Sequence, residues 1–220
     1  MKRGFTLVEM LVVIGIIAIL LGTSVMGFSR MTKSAERAKA QELVSNVATA
    51  LTALFQAEGS WPKRLATRGG TDGLLDQDVA LVLAKGGYIS LTMDADKTKL
   101  DGLDQFGIVS PWASLAIKAA GTGASLGTRV GNSDKTVQDH ILHFALDLDG
   151  DGIIQGANVG GKSVDIRATA AVWCGGKDGV IAPYPYGSGG SGEKGQSGQA
   201  NGQRSDDVWS WSAGQTQDVK

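Results

Sequence analysis

The sequence predicts an α+β protein in which a long N-terminal helix, half transmembrane and half amphipathic, packs on a small antiparallel β-sheet with a glycine-rich C-terminal loop. Three observations predict this class. An uncharged apolar run extends from Met10 to Phe28, apolar residues then recur at helical spacing as far as Phe55, and short β-branched segments alternate with glycines in the C-terminal half. The 220 residues suffice for one globular domain and an appendage.

Charge and composition exclude several classes of protein. The net charge of −1 gives no reason to expect a nucleic-acid partner. Cys174 is the only cysteine, so no disulfide can form within the chain. The sequence contains no nucleophile elbow, phosphate-binding loop or Cys/His nucleophile pair. We therefore expect a protein that is not an enzyme.

Residues 5–28 form the apolar part of the predicted helix. At about 1.5 Å per residue this stretch is long enough to cross a hydrocarbon core of about 30 Å. A secretory signal peptide is the alternative, but its apolar region has roughly 7–15 residues and a cleavage site follows it. The run here is longer and continues into a helical pattern, which favours an uncleaved membrane anchor.

Glu9 is an acid near the start of this apolar helix. Such a carboxylate costs a few kcal/mol in a membrane, so it normally has a partner or a function. If the chain were cut after Gly4, Phe5 would carry a new ammonium group four residues before Glu9, close enough for an ion pair on a helix. In an assembly of identical subunits, the carboxylate could instead meet the ammonium group of a neighbour.

The sequence Lys-Arg-Gly-Phe-Thr-Leu-Val-Glu-Met-Leu, residues 2–11, resembles the processing site of type IV prepilins and type II secretion pseudopilins. The resemblance implies that residues 1–4 are a leader peptide, cleaved by a prepilin peptidase between Gly4 and Phe5. It also implies N-methylation of Phe5 and a role for Glu9 in assembly. The positive-inside rule alone does not place the N-terminus in the cytoplasm, because more basic residues follow the span than precede it. The processing motif outweighs that rule.

Residues 29–58 form the predicted amphipathic half of the helix. Apolar residues recur there every three or four positions and define one stripe: Ala40, Leu43, Val44, Val47, Leu51, Leu54 and Phe55. Gly59 predicts the end of the helix. Residues 58–62, Glu-Gly-Ser-Trp-Pro, are similar to the stretch that closes this helix in pseudopilins.

Residues 59–220 form the predicted periplasmic α+β domain. A short helix is expected from Asp76 to Lys85, ending at two glycines. Clusters of apolar and β-branched residues predict strands at Ser114–Ala119, His140–Leu146 and Asp165–Trp173. Residues 81–89 are similar to the segment that leads into the pseudopilin sheet.

Asp147, Asp149 and Asp151 follow the spacing of an EF-hand calcium loop, with Gly152 at its sixth position. Position twelve is Asn158 rather than a bidentate glutamate, and no convincing helix flanks the loop. The alternative is an acidic hairpin turn without a metal, because Asp-Gly pairs fit tight turns. Both interpretations stay open.

A second acidic constellation brackets a Gly/Ser/Gln-rich insertion at residues 187–203. Loops of this length are usually functional or disordered, so its ends must be fixed. Residues 178–179 and 206–211 are similar to two segments of major pseudopilins that bind one calcium ion. The resemblance implies that Asp178 and either Asp206 or Asp207 are calcium ligands. The alternative is a pair of solvated aspartates on a flexible flap.

The remaining chemistry-bearing residues suggest little. Many type IVa pilins close their C-terminal loop with a disulfide. Cys174 alone cannot form one, so the pseudopilin branch is favoured. Cys174 itself is expected to be inert and buried. His140 and His143 would point to opposite faces of a strand, and a zinc site lacks its other ligands.

The residues and the resemblance together predict a structural subunit that polymerises with itself and other pseudopilins into a helical periplasmic or surface fibre, with type II secretion as the expected process. Expected partners are the prepilin peptidase, an inner-membrane assembly platform and membrane lipid. Expected localisation is a single pass through the bacterial inner membrane, with the C-terminal domain in the periplasm or in an extracellular fibre. The alternative is a membrane-anchored, calcium-dependent binding module or enzyme that does not polymerise.

Overall fold

The computed structural model describes residues 7–131, 134–177, 179–181, 207–211 and 215–218, and the side chains of residues 20–31 and 33 are outside this description. The chain divides into two compact units, residues 1–38 and residues 39–220. The first unit contains the beginning of the long helix, and the second contains the rest of that helix and the remaining elements.

Helix α1 extends over Leu7–Glu58, and its predicted end at Glu58 is confirmed. Gly59 closes it with a positive φ of 69° and donates its N–H to the Phe55 carbonyl at 2.8 Å. The predicted apolar stripe is also confirmed in the second unit. Five of its members have no exposed surface: Ala40, Val44, Val47, Leu51 and Leu54.

Among the described residues, no helix is at once long enough and apolar enough to cross a membrane. The side chains at the start of α1 are nevertheless exposed and apolar. Their relative exposure runs from 82% at Leu7 and 69% at Val8 to 53% at Ile16 and 69% at Ile19. Because successive helical residues point about 100° apart, this exposed surface surrounds the helix rather than forming one face.

Two short helices follow, α2 at Lys63–Arg68 and α3 at Gln77–Lys85. The predicted helix at 76–85 is confirmed, with Asp76 as its N-cap, because the Asp76 carboxylate accepts the Val79 N–H at 3.2 Å. The same carboxylate forms an ion pair with Arg68 at the end of α2. Val79, Ala80 and Leu83 of α3 lie in the core.

The predicted strand at Ser114–Ala119 is wrong, because these residues belong to helix α4, Pro111–Ala120. Ser110 caps this helix by accepting the Ala113 N–H at 3.4 Å, and Pro111 occupies its first position, where a proline loses no helical hydrogen bond. Trp112, Ala113 and Ile117 are its buried residues, at helical rather than alternating spacing.

In the described part of the chain, seven strands form two antiparallel sheets, where one sheet was predicted. The strands are β1 Gly73–Leu74, β2 His143–Leu146, β3 Ile154–Val159, β4 Lys162–Ile166, β5 Ala170–Cys174, β6 Val208–Trp209 and β7 Thr216–Asp218. The first sheet has the order β1-β2-β5-β6, and the second has the order β3-β4-β7.

Two predicted strands need correction in their extent. The segment His140–Leu146 begins with the last residue of a 3-10 helix at Val137–His140, and strand β2 starts only at His143. The segment Asp165–Trp173 is divided between β4 and β5, which belong to different sheets. The chain changes sheets at residues 167–169, where the Ala168 N–H bonds the Ile166 carbonyl at 3.0 Å instead of a partner strand.

Two hydrophobic clusters hold the second unit together. The larger joins the α1 stripe, α3 and α4 to one face of the first sheet, where Phe144 and Val172 are fully buried. The smaller joins the other face of that sheet to the second sheet through Trp173, Ile154 and Val164. The first sheet is therefore buried on both faces.

Candidate functional site: the helix start and two acidic segments

The first predicted functional residue, Glu9, lies in the first turn of α1 and is exposed. The predicted processing residues Gly4 and Phe5 lie outside the described residues. Around Glu9 the helix exposes Leu7, Val8 and Met10, each at least 57% accessible. An exposed apolar surface of this kind is buried only against lipid or against other apolar helices.

Asp147 organises the first acidic loop, at the end of strand β2. Its side chain is 3% exposed. One carboxylate oxygen accepts the Gly150 N–H at 2.7 Å, and the other accepts the Gly152 N–H at 2.8 Å. Both glycines have positive φ angles, 79° and 84°, which favour glycine. Asp147 therefore folds the loop back on itself through two main-chain hydrogen bonds.

Asp149 and Asp151 complete this loop and are exposed. One ligand atom from each of Asp147, Asp149 and Asp151 can be chosen so that all three lie within 4.8 Å of one another. Asp151 also accepts the Ile153 N–H at 2.7 Å. Carboxylate oxygens converging in this way suit a hard cation such as calcium.

Asn158, at the twelfth position of the expected calcium loop, does not close it. Asn158 lies in strand β3, where its main-chain N–H donates to the Thr71 carbonyl at 2.9 Å. Its side-chain amide donates to Asp72 at 3.4 Å. The loop therefore differs from a complete EF-hand at the position where that loop supplies its bidentate ligand.

Asp207 carries the second acidic segment. It is 2% exposed, and its carboxylate accepts the Gly176 N–H at 3.0 Å. Pairing of strands β5 and β6, with Cys174 opposite Val208, brings both ends of the connecting segment together. The other predicted ligands, Asp178 and Asp206, lie outside the described residues.

The main chain at Gly175 is packed too closely to accept a side chain. A Cβ on Gly175 would lie 2.8 Å from the Gly179 carbonyl carbon and 2.8 Å from the Val180 nitrogen. The Gly179 N–H donates to the Gly176 carbonyl at 3.2 Å. Asp207 is the one predicted calcium ligand of this segment that the structure describes, and its buried carboxylate accepts a main-chain N–H.

The two histidines have separate environments. His143 in β2 bonds Asp72 through Nδ1 at 2.6 Å and stacks on Trp173 with ring centroids 5.9 Å apart. His140 is fully buried, and its Nδ1 lies 3.0 Å from the Ser110 hydroxyl. Within the described part of the chain, the Asp147 loop is the group of three metal-binding side chains that comes together, and neither histidine joins it.

Two contacts of the site were not predicted. The Ser110–His140 pair joins residues thirty positions apart, and Trp61 Nε1 donates to the Asp147 carbonyl at 2.5 Å across the fold. Sequence patterns carry no signal for such long-range contacts. Ser110 followed by Pro111 could have been recognised as a helix start. Cys174 is 1% exposed, so its predicted burial is confirmed.

Comparisons with known proteins give one family match and one similar curated protein that cover parts of the chain. Residues 1–25 match the family described as the prokaryotic N-terminal methylation motif. The chain is also 27% identical over 97 residues to the type IV major pilin protein PilE of Neisseria gonorrhoeae, a match that covers 43% of this chain and 58% of the pilin. No solved structure matches. The methylation motif and the pilin similarity together support a type IV pilin-like family for this chain.

Proposed function

We propose that this chain is a pilin or pseudopilin subunit that is cut between Gly4 and Phe5, anchors in the bacterial inner membrane and assembles into a fibre. The observation that carries the proposal is the start of α1, which exposes apolar side chains all round beside one carboxylate, Glu9. Burying this surface needs lipid before assembly and sister helices after it. Burying Glu9 needs a cation, which the new ammonium group of Phe5 supplies.

Within this class we favour a type II secretion pseudopilin. Cys174 is buried and is the only cysteine. The C-terminal loop must therefore be fixed by something other than a disulfide. Asp207, buried beside Gly176, suits a calcium clamp with the same mechanical effect. The similar protein PilE is instead a type IV major pilin, which supports a surface pilus as the second candidate.

Intact mass spectrometry of the membrane-extracted protein tests the proposal. We expect a mature chain that begins with N-methylated Phe5. Deletion of the prepilin peptidase in the producing cell provides the control, since the chain should then retain residues 1–4. A chain that keeps Met1 in cells with an active peptidase would instead favour a membrane-anchored binding module or enzyme that does not polymerise.

Calcium is the proposed ligand of the C-terminal segment, held by Asp178 together with Asp206 or Asp207. The burial of the Asp207 carboxylate supports this assignment. The Asp147 loop is proposed as a second, weaker calcium site, because its carboxylates converge but Asn158 is engaged elsewhere.

Thermal unfolding of the full-length chain in detergent micelles, in CaCl2 and in EGTA, tests both calcium sites. We expect a lower Tm in EGTA, since a ligand that binds only the folded state stabilises it. Asp207→Asn should remove most of the shift because it deletes the charge and keeps the shape. Identical unfolding curves in CaCl2 and EGTA would argue against calcium at either site.

A further inference from the structure

Three basic residues of α1 share one side of the helix just after its apolar run. Arg30, Lys33 and Arg37 follow one another at intervals of three and four residues, and α1 is helical across all of them. At about 100° per residue, the three positions fall within an arc of about 60° around the helix axis. Ser34 falls at the edge of the same side, and both Ser34 and Arg37 are exposed. We call Arg30, Lys33 and Arg37 the basic face.

The rest of the helix circumference at this level carries no basic residue. Residues 31, 32, 35, 36 and 38 occupy it and contribute a single charge, the acid Glu36. Three of the four charges at residues 30–38 are therefore positive and belong to one side of the helix. Such a one-sided concentration of positive charge attracts an anionic partner to that side.

The basic face begins two residues after Phe28, where the uncharged run ends. At about 1.5 Å per residue, residues 30–37 occupy the stretch from about 3 to about 14 Å beyond that point. A bilayer of about 40–45 Å with a hydrocarbon core of about 30 Å has a headgroup layer of about 5–8 Å on each side. Lysine and arginine side chains also extend along a helix towards this layer. If residues 5–28 cross the hydrocarbon, the basic face lies at the level of the lipid phosphates.

Membrane orientation does not account for these cations. The positive-inside rule describes an excess of Lys and Arg on the cytoplasmic side, whereas the expected topology places this end of the span in the periplasm. The proposed cleavage after Gly4 also removes Lys2 and Arg3, so the cations that flank the span in the mature chain follow it. A segment that opposes the orientation signal needs another reason to be basic.

We propose that the basic face binds the phosphate groups of anionic phospholipids in the periplasmic leaflet and so holds the unassembled subunit in the membrane. This inference rests on the proposed membrane anchor. Guanidinium groups bind phosphate through paired hydrogen bonds, and an ammonium group binds it as a point charge. Each Lys or Arg near an anionic membrane surface strengthens binding by about fivefold. The alternative is that carboxylates of a second copy bind this face in the fibre.

Native mass spectrometry of the full-length chain in detergent micelles, with equal amounts of phosphatidylglycerol and phosphatidylcholine, tests the proposal. We expect the parent to retain phosphatidylglycerol preferentially. The preference should fade as the salt concentration rises from about 0.01 M to about 0.15 M, because salt screens exposed charges. Arg30→Gln/Lys33→Gln/Arg37→Gln should bind phosphatidylglycerol about a hundredfold more weakly, while its retention of phosphatidylcholine stays unchanged.

Lys63→Gln/Arg64→Gln/Arg129→Gln is the matched control. It removes the same three charged groups from exposed positions outside α1, so the net charge of the two variants is equal. We expect this control to keep the lipid preference of the parent. Should the variant of the basic face fail to enter the membrane, the lipid preference of the parent and its salt dependence still test the proposal.

The outcomes separate this inference from the proposed anchor. If the parent retained both lipids equally, the inference would be wrong and the anchor would stand. If the parent retained neither lipid, both would be wrong. Electron microscopy of fibres from the variant of the basic face tests the alternative. A variant that keeps the lipid preference but forms no fibres would overturn the lipid proposal and assign the face to a second copy.

Discussion

The indole Nε1 of Trp61 donates a hydrogen bond of 2.5 Å to the main-chain carbonyl of Asp147. Trp61 also packs on Phe55, in the last turns of α1, with ring centroids 4.8 Å apart. The first residue of the acidic loop, Asp147, is thus hydrogen-bonded to Trp61, which follows the long helix. A change in the conformation of Asp147 would therefore act on the end of α1 through Trp61.

Substitutions at Asp147 and Asp149 should separate the turn from the calcium site. Asp147→Ala leaves the Gly150 and Gly152 N–H groups without their acceptor, so we expect a loss of about 1–3 kcal/mol in the free energy of unfolding, with or without calcium. Asp149→Asn should change calcium-free stability by less than about 0.5 kcal/mol, because its side chain is exposed. Urea unfolding in EGTA measures both.

Adding CaCl2 to the parent and to Asp149→Asn tests whether the Asp147 loop binds calcium. At a hundredfold excess over Kd, calcium would stabilise the parent by about 2.7 kcal/mol per site. Asp149→Asn should lack the part of this gain that comes from the Asp147 loop. Equal calcium stabilisation of the parent and Asp149→Asn would mean that the loop is an acidic turn and binds no ion.

Glu9→Gln should abolish fibre formation while leaving the chain in the membrane. The substitution keeps the size of the side chain but removes the charge that the Phe5 ammonium group is proposed to meet. Leaving one partner of a buried ion pair alone costs about 3–5 kcal/mol, enough to prevent growth of a polymer. Membrane fractionation and electron microscopy of sheared fibres report the two properties separately.

Glu42→Gln is the control for this experiment, since Glu42 is an exposed carboxylate on the second half of the same helix. We expect normal fibre yield from it. If Glu9→Gln formed fibres of normal length and number, the ion pair would not be needed for assembly.

The pH dependence of stability should report Asp139. Burial raises the pKa of this carboxyl, but hydrogen bonds from Thr136 and Lys135 outweigh burial, so its pKa lies below the usual value. A lowered folded-state pKa stabilises the protein above the unfolded value of about 3.9, and this contribution is lost as the pH falls through the folded pKa. Between pH 5 and pH 2, the parent should therefore lose more stability than Asp139→Asn.

Asp134→Asn provides the comparison, because its side chain is 98% exposed and lies 3.7 Å from Arg129 in a solvated ion pair. Urea unfolding at several pH values measures all three proteins. Parallel pH profiles for the parent and Asp139→Asn would show that the bonds from Thr136 do not favour the charged carboxylate.

Gly69→Ala should destabilise the second unit. A Cβ on Gly69 would lie 2.5 Å from Cε2 of Phe144 and 2.7 Å from Cδ1 of Leu146, both of which are core residues. Overpacking of this kind costs about 1–3 kcal/mol. Gly123→Ala, where a Cβ would meet nothing within 4 Å, should be nearly neutral. Thermal melting followed by circular dichroism compares the two variants. Equal Tm values would show that Phe144 and Leu146 of strand β2 can shift to accommodate the added methyl group.

The sequence predicted elements whose signals are local. Helix α1 shows a sustained 3.6-residue repeat, and α3 begins at a capping aspartate, Asp76. Helix α4 was mistaken for a strand because a short apolar run is compatible with either element, although Ser110 and Pro111 marked a helix start. The division of one predicted strand at residues 167–169 depends on which distant strand pairs with each half. No local pattern encodes that choice.

The candidate site shows the same limit. The convergence of Asp147, Asp149 and Asp151 follows from their alternate spacing in one turn, so it could be predicted. The location of Asp207 beside Gly176 depends on the pairing of β5 with β6. The close packing of the His140 ring against Gly179 depends on a contact across the fold. These arrangements arise from packing between elements that are far apart in sequence.

Strands β5 and β6 are neighbours, with Cys174 directly opposite Val208, so the sheet itself fixes where the intervening chain leaves and returns. The entropy of closing such a loop grows only slowly, by about 0.6 kcal/mol for each doubling of its length. A longer or shorter glycine-rich insertion should therefore leave the sheet undisturbed. An epitope tag spliced into that insertion would offer a way to label the protein in living cells.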